Sequence, residues 1–354
     1  MYIVLAILAF GIIIAIHELG HYLSAKALNV KVNEFAIGMG PKILKKQGKE
    51  TLYTLRLLPF GGFCSMEGEH EEGDDPDPRS FLSQKRWRRI IILMAGSVAN
   101  FIAAFIIIII LTAGAAGFVS TTINDLHEDF PNRGSEGLMP GDTLVSINGE
   151  RLFYIEDFML MMHLNSGNHV DLVINRGGET IKLNNFPLQQ HMYDIDGVMR
   201  ERYGISFNYV ENGFVQTIKY SVYQTYNFMR MIRLSIAMMV SGAATIQDFA
   251  GPVGIVNEMN NIGQASPTTL AAIGNIVFFT AFIGVNVAVI NLLPIPAMDG
   301  GRILFTIITW LIEKITRKRL DPKYEGYINT GAFVLLIGFM VIILYNDVMK
   351  IIGA

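Results

Sequence analysis

The chain has 354 residues, 51% of them hydrophobic and 17% charged, with a net charge of -3 and one cysteine. Nothing in that balance points to nucleic acid or a broadly acidic partner, and the lone Cys64 excludes an internal disulfide framework or a multi-cysteine metal cluster. A soluble chain would have to expose much of this apolar surface, so a bilayer is the expected solvent.

Crossing a hydrocarbon core about 30 Å thick takes roughly 20 helical residues, and four stretches are long enough. The first runs from about Tyr2 to Leu28 and is interrupted by His17, Glu18, His21 and Lys26. It has no basic n-region and no A-x-A-like site before His17, so it reads as a retained membrane helix rather than a cleaved signal. The second, Ile90 to Phe118, is apolar apart from Ser97 and Asn100; the third spans about Leu270 to Ile295 and the fourth about Thr330 to Tyr345.

Between the first two spans, Glu50 to Leu58 is rich in strand formers and Pro59-Phe60-Gly61-Gly62-Phe63 reads as a turn flanked by strand. A small hairpin sheet at membrane depth is tolerated only where protein shields it or it lines a cavity. His70 to Pro78 is acidic and broken by Gly and Pro, and reads as a solvated loop. Residues 119–212 alternate strand-like runs with glycine turns, as a separate soluble module of about 90 residues would. In 213–268, Val222 to Val240 is apolar and Met-rich but carries Arg230 and Arg233. We expect an amphipathic surface helix there; a fifth span would break the charge pattern. That pattern concentrates Lys and Arg in the loops between the first two and the last two spans, which makes both loops cytoplasmic and both chain ends extracytoplasmic.

His17-Glu18-Leu19-Gly20-His21 places two imidazoles about 40° apart on one helix face, where they can share a metal. Glu18 then stands where it can reach a metal-bound water as general base. Three ionisable groups in an apolar helix are costly and are kept when they pair, bind or react. An open zinc site needs a third protein ligand. Asp299, in Asn291-Leu292-Leu293-Pro294-Ile295-Pro296-Ala297-Met298-Asp299-Gly300-Gly301, stands where prolines break the third helix. From spacing alone, Asp299 is equally a ligand or part of a turn.

HELGH in a first membrane helix, then Glu34 to Pro41 and Pro59 to Phe63, resembles the site-2 protease family. The run from Asn291 to Gly301 is similar to that family's second signature, and the resemblance implies that Asp299 completes a zinc site with His17 and His21. Arg79-Ser80-Phe81, Ala95 to Asn100 and Gly251-Pro252-Val253-Gly254-Ile255 extend the likeness over nearly the whole chain. Gly137 to Asp142 followed by Ile147-Asn148-Gly149 is similar to a PDZ domain, as in RseP-type bacterial members. The chain departs from the common pattern at Ser97, where proline is frequent, and at Met298, where leucine is; neither removes a ligand.

The resemblance implies an α-helical polytopic membrane protein of four transmembrane helices, with a small membrane-associated β-hairpin sheet and an inserted β-rich PDZ-like domain. The expected divisions are 1–118 and 269–354 as membrane core halves, 119–212 as an extracytoplasmic PDZ-like domain, and 213–268 as a linker with the surface helix. The implied activity is intramembrane zinc-dependent proteolysis in the bacterial cytoplasmic membrane, with Glu18 catalytic. Single-span substrates such as anti-sigma factors or remnant signal peptides are implied, with Asn291, Gly61, Gly62 and Phe63 as substrate-binding candidates. Membrane lipid is a further partner; no nucleic acid and no organic cofactor is expected. A non-catalytic membrane scaffold or transporter-like protein with a PDZ module is the other class, and it would have no need of Glu18.

Overall fold

The computed structural model describes residues 1–69, 77–165, 167–195, 197–243, 250–317 and 323–352. Of the acidic run from His70, residues 70–76 therefore lie outside the described residues. The chain divides into two compact units, Met1–Leu111 with Gln224–Ala354, and Thr112–Tyr223.

Four described helices of the first unit are long and apolar enough to cross a membrane, within α1 (Tyr2–Ala27), α2 (Arg86–Ala113), α6 (Thr269–Leu292) and α8 (Lys323–Ile352). At 1.5 Å per residue the 26 residues of α1 reach about 39 Å, more than the hydrocarbon thickness. The helix stops where Asn29 turns left-handed (φ 61°) and the Val30 N–H closes back on the Ala25 carbonyl at 2.8 Å, a terminator that asparagine tolerates. The second span begins at Arg86 rather than Ile90, because Arg86, Arg88 and Arg89 form its opening turns. It ends at Ala113 rather than Phe118.

The segment between α1 and α2 is two long bent strands, β1 (Val32–Gln47) and β2 (Leu52–Met66). Each pairs twice. The first half of β1 lies between both halves of β2, with Phe35 opposite Cys64 on one side and Tyr53 on the other, and the second half of β1 pairs Tyr53 again through Lys46. The result is a four-row antiparallel sheet in the order 62–66, 32–37, 52–56, 42–47. It folds at Gly38, Gly40 and Gly61, which all take positive φ. A buried cluster of Ala25, Val32, Cys64, Phe81 and Leu93 ties the sheet to α1 and α2. Cys64 is thus a small buried core residue.

Helix α4 (Phe214–Val240) packs Phe228, Met229, Ile232 and Ile236 against α2 and α6. Its apolar stripe therefore rests on two spanning helices rather than on lipid alone. Helix α5 (Pro252–Ala265) joins Met259 to Ala6 and Ala9 of α1. Its first turn is capped from another helix: the Gly251 and Gly254 N–H groups donate to the buried Asp347 carboxylate at 3.1 and 2.8 Å. That contact satisfies orphan helix-start donors and stabilises by hydrogen bonding a carboxylate inside a spanning helix.

The second unit holds β3 (Gly117–Leu126), β4 (Thr143–Ile147), β5 (Glu150–Arg151), helix α3 (Ile155–Leu164), β6 (His169–Arg176), β7 (Glu179–Pro187) and β10 (Ile205–Glu211). Its six-stranded sheet runs β10-β3-β4-β6-β7 with β5 beside β4, and β8 (His191–Ile195) pairs β9 (Val198–Arg202) in a separate hairpin. Ile123, Leu144, Ile147, Phe158, Leu172 and Ile174 fill the core. The turn at Met139-Pro140-Gly141-Asp142 is held by Asp142, which takes a bidentate grip from Arg176 at 2.7 and 2.8 Å. The unit extends beyond 119–212 because Phe118 stacks on Tyr220 and Tyr223 on Phe153, at 4.1 and 4.0 Å between centroids.

Candidate metal centre

His17 and His21 sit one turn apart on α1, each only 7% exposed. Their Nε2 atoms are 3.1 Å apart, and Oδ2 of Asp299 lies 3.1 Å from the first and 3.2 Å from the second. The structure therefore brings together all three residues singled out as ligands. The His21 Nδ1 donates to the Ile92 carbonyl at 2.8 Å; this leaves Nε2 as the free lone pair in the neutral ring. The Nδ1 of His17 is buried and has no hydrogen-bond partner among the described residues.

With Nε2 unprotonated on both rings, the three atoms are all acceptors and at about 3.1 Å would repel unless a cation lay among them. Donors bound tetrahedrally at about 2.0 Å from zinc stand about 3.3 Å apart. The observed triangle, two imidazoles and a carboxylate, thus fits zinc in both donor type and spacing.

Asp299 arrives by a broken helix. α6 ends at Leu292, Pro294 and Pro296 forbid its continuation, and Ala297 takes a positive φ of 72° before α7 (Asp299–Thr316) begins at the aspartate itself. A Cβ on Gly300 would stand 2.3 Å from the carbonyl oxygens of Leu292 and Leu293, so only glycine lets α7 start this close to the end of α6. Gly96 of α2 makes the other close approach. A Cβ there would lie 2.5 Å from His21 Nε2 and 2.8 Å from His17 Nε2.

A cavity of about 390 Å³ opens on the cluster. Glu18 lines it beside both histidines, as do Phe63 and Asn291 among the residues proposed to meet substrate. Gly62 is not on the cavity wall but packs against Glu18, whose Cγ is 3.3 Å from where a Cβ at 62 would stand; Gly61 lies against Met39 instead. Row 62–66, an outer row of the sheet, supplies Phe63 to Met66 of the wall.

Two features of the centre escaped sequence reasoning. One is Gly96, which lies in the stretch noted for family likeness but which nothing in the sequence places against the histidines. The other is an ion pair on the cavity wall, Arg302 to Glu69 at 2.5 Å, which ties the first turn of α7 to the chain beyond β2. Arg302 falls three residues after Asp299, one turn along the same helix.

Apolar spans that gather two histidines and an aspartate at one point, with a glutamate beside them, describe a zinc metalloprotease of the membrane. The chain belongs to peptidase family M50, the site-2 protease type, whose profile matches residues 5–339. A Clostridium acetobutylicum protein provisionally named a zinc metalloprotease is 37% identical over 350 residues, covering 98% of this chain and 97% of that protein. Zinc metalloprotease RasP of Oceanobacillus iheyensis is 27% identical over 432 aligned residues, covering 99% of each chain. Regulator of sigma-W protease RasP of Bacillus subtilis is 27% identical over 426, covering 98% of this chain and 97% of the relative. The protein is accordingly a multi-pass membrane zinc metalloprotease.

Proposed function

We propose that this protein is an intramembrane endopeptidase that cuts transmembrane segments of single-span proteins, with zinc held by His17, His21 and Asp299 and with Glu18 as the proton-transfer group. The observation that carries the reading is the convergence of the three donors within 3.2 Å, buried among spanning helices and beside Glu18. When bound, zinc polarises the scissile carbonyl and acidifies the attacking water. Glu18 takes the proton from that water and delivers it to the leaving amine.

A helical substrate keeps its amides bonded internally and must unwind before cleavage. Among the described residues row 62–66 pairs with row 32–37 on one side, and an extended segment added along its other edge would compete with the bond from the Met66 N–H to Glu69. Phe63 and Asn291, on the same cavity wall, are the side chains best placed to hold that segment; Gly62 keeps space open for Glu18.

Charge bias favours a cytoplasmic location for the β1–β2 sheet, with the chain ends and the Thr112–Tyr223 unit on the opposite side of the membrane. That unit is best read as a PDZ-like recognition module that admits substrates already trimmed outside. The printed name of the Bacillus subtilis relative, a regulator of sigma-W, makes membrane-anchored anti-sigma factors the first substrates to try; remnant signal peptides are the second.

The test is cleavage of a single-span substrate in detergent by the parent and by Glu18→Gln, with zinc measured on both. We expect about one zinc on each and a rate loss of roughly 10²–10⁴-fold in the variant. Equal cleavage by both, or a parent without zinc, would overturn the mechanism.

A further inference from the structure

The two faces of the β1–β2 sheet are finished differently. On one, Glu34 is enclosed by its own neighbours: Thr54 and Arg56 donate to it at 2.7 and 2.8 Å, and Lys42 at 3.0 Å. On the other, Phe35, Tyr53 and Lys46 are in register across one row, and Ile37, Leu55 and Leu44 across the next. Side-chain alternation puts all six on one face. Tyr22 of α1 covers its edge, with its ring 5.3 Å from Phe35 and its hydroxyl 2.6 Å from that of Tyr53. The rest is open, Leu44 being 63% exposed and Leu55 43%, and the six side chains line a groove of about 300 Å³.

Depth and charge identify the occupant. Tyr22 lies five residues, about 8 Å, before the end of α1, so the groove stands where a spanning helix leaves the hydrocarbon. Exposed Trp87, among Arg86, Arg88 and Arg89 at the start of α2, marks the same boundary. Lys46, on this face, and Lys45, which alternation turns toward the other face but which also lines the groove, make no ion pair among the described residues, whereas Lys42 is on Glu34. A water-soluble anion would leave the apolar floor uncovered, and a neutral lipid would leave the ammonium groups unneutralised.

We propose that this groove binds an anionic phospholipid of the surrounding bilayer, with an acyl chain along Ile37, Leu44 and Leu55 and the phosphate at Lys45 and Lys46. Lipid retention can be read without any cleavage, so this proposal and the catalytic reading fail separately.

The full chain is reconstituted in vesicles of phosphatidylcholine mixed with phosphatidylglycerol, extracted in mild detergent, and its retained lipid read by native mass spectrometry. The parent should retain phosphatidylglycerol in preference to phosphatidylcholine. Lys45→Gln with Lys46→Gln should weaken that preference by about fivefold per lysine, and Lys45→Arg with Lys46→Arg should restore it. Leu44→Ser with Leu55→Ser should weaken it with both lysines in place. No preference in the parent, an undiminished preference in the glutamine pair, or failure of the arginine pair to restore it would overturn the site. Retention unaffected by the serine pair would reduce the effect to surface charge and overturn the groove.

Discussion

The proposed metal centre draws its donors from two regions built on opposite principles. His17 and His21 come from an unbroken helix, where spacing alone fixes their common face. Asp299 comes from a helix that prolines have stopped and glycines have allowed to restart within a few residues. The continuous helix holds its donors stiffly, and His21 is further fixed by the Ile92 carbonyl. The broken segment holds its donor through the backbone of a tight turn. The difference teaches that a shared cation can join a rigid half to a half whose position depends on local backbone fit.

Removing a donor from either half is the strongest way to test this. His21→Ala and Asp299→Asn should each lower zinc to near zero by elemental analysis and take cleavage below detection, since an open site needs three protein ligands. If Asp299→Asn kept full zinc, the broken half would not be part of the centre. Gly96→Ala is a subtler break, touching neither half's donors in chemistry. Its methyl must displace the imidazoles, and an outer-shell disturbance of this kind costs about 10–100-fold in metal affinity; competition with a chelating indicator measures it. An unchanged affinity would mean that α1 and α2 can separate at no cost to the centre.

The smallest expected effect lies outside the membrane core. Hydrogen bonds from Lys26 and Arg79, at 2.5 and 2.6 Å, hold the Glu50 carboxyl down to about 2. A carboxyl lower in the folded than in the unfolded chain stabilises above the unfolded value of about 4.3 and loses that contribution as pH falls toward the folded one. Thermal stability of the parent relative to Glu50→Gln should therefore be constant from neutral pH to about 5 and converge between about 4 and 2. A difference that persisted unchanged at pH 2 would show that packing, not charge, is what Glu50 contributes.

How much of this was legible follows the same contrast. The histidine pair and Glu18 could be read from five consecutive residues, because helical periodicity is local. Asp299 was only an even choice from spacing, since its position depends on a turn whose Ala297 takes a left-handed backbone that no periodicity announces. The span ending at Ala113 was read through to Phe118 because hydropathy does not distinguish lipid from an aromatic core, and Phe118 meets Tyr220. The hairpin was expected, but not its four rows: those arise from bends at Gly38, Gly40 and Gly61, and pairing one strand on both sides is a long-range choice. Gly96 was inside a stretch noted for family likeness, yet nothing in the chain says which helix an apolar glycine will touch.

The separation of the ligands along the chain, 282 residues between His17 and Asp299, also has a consequence for synthesis. A growing polypeptide that has passed His21 lacks the third proposed donor until a further 278 residues, to Asp299, have been added. At about 5–20 residues per second that interval lasts roughly 15–60 s. Throughout it, and in every product terminated before Asp299, the chain lacks the complete proposed metal site and would be inert toward the membrane proteins being inserted around it.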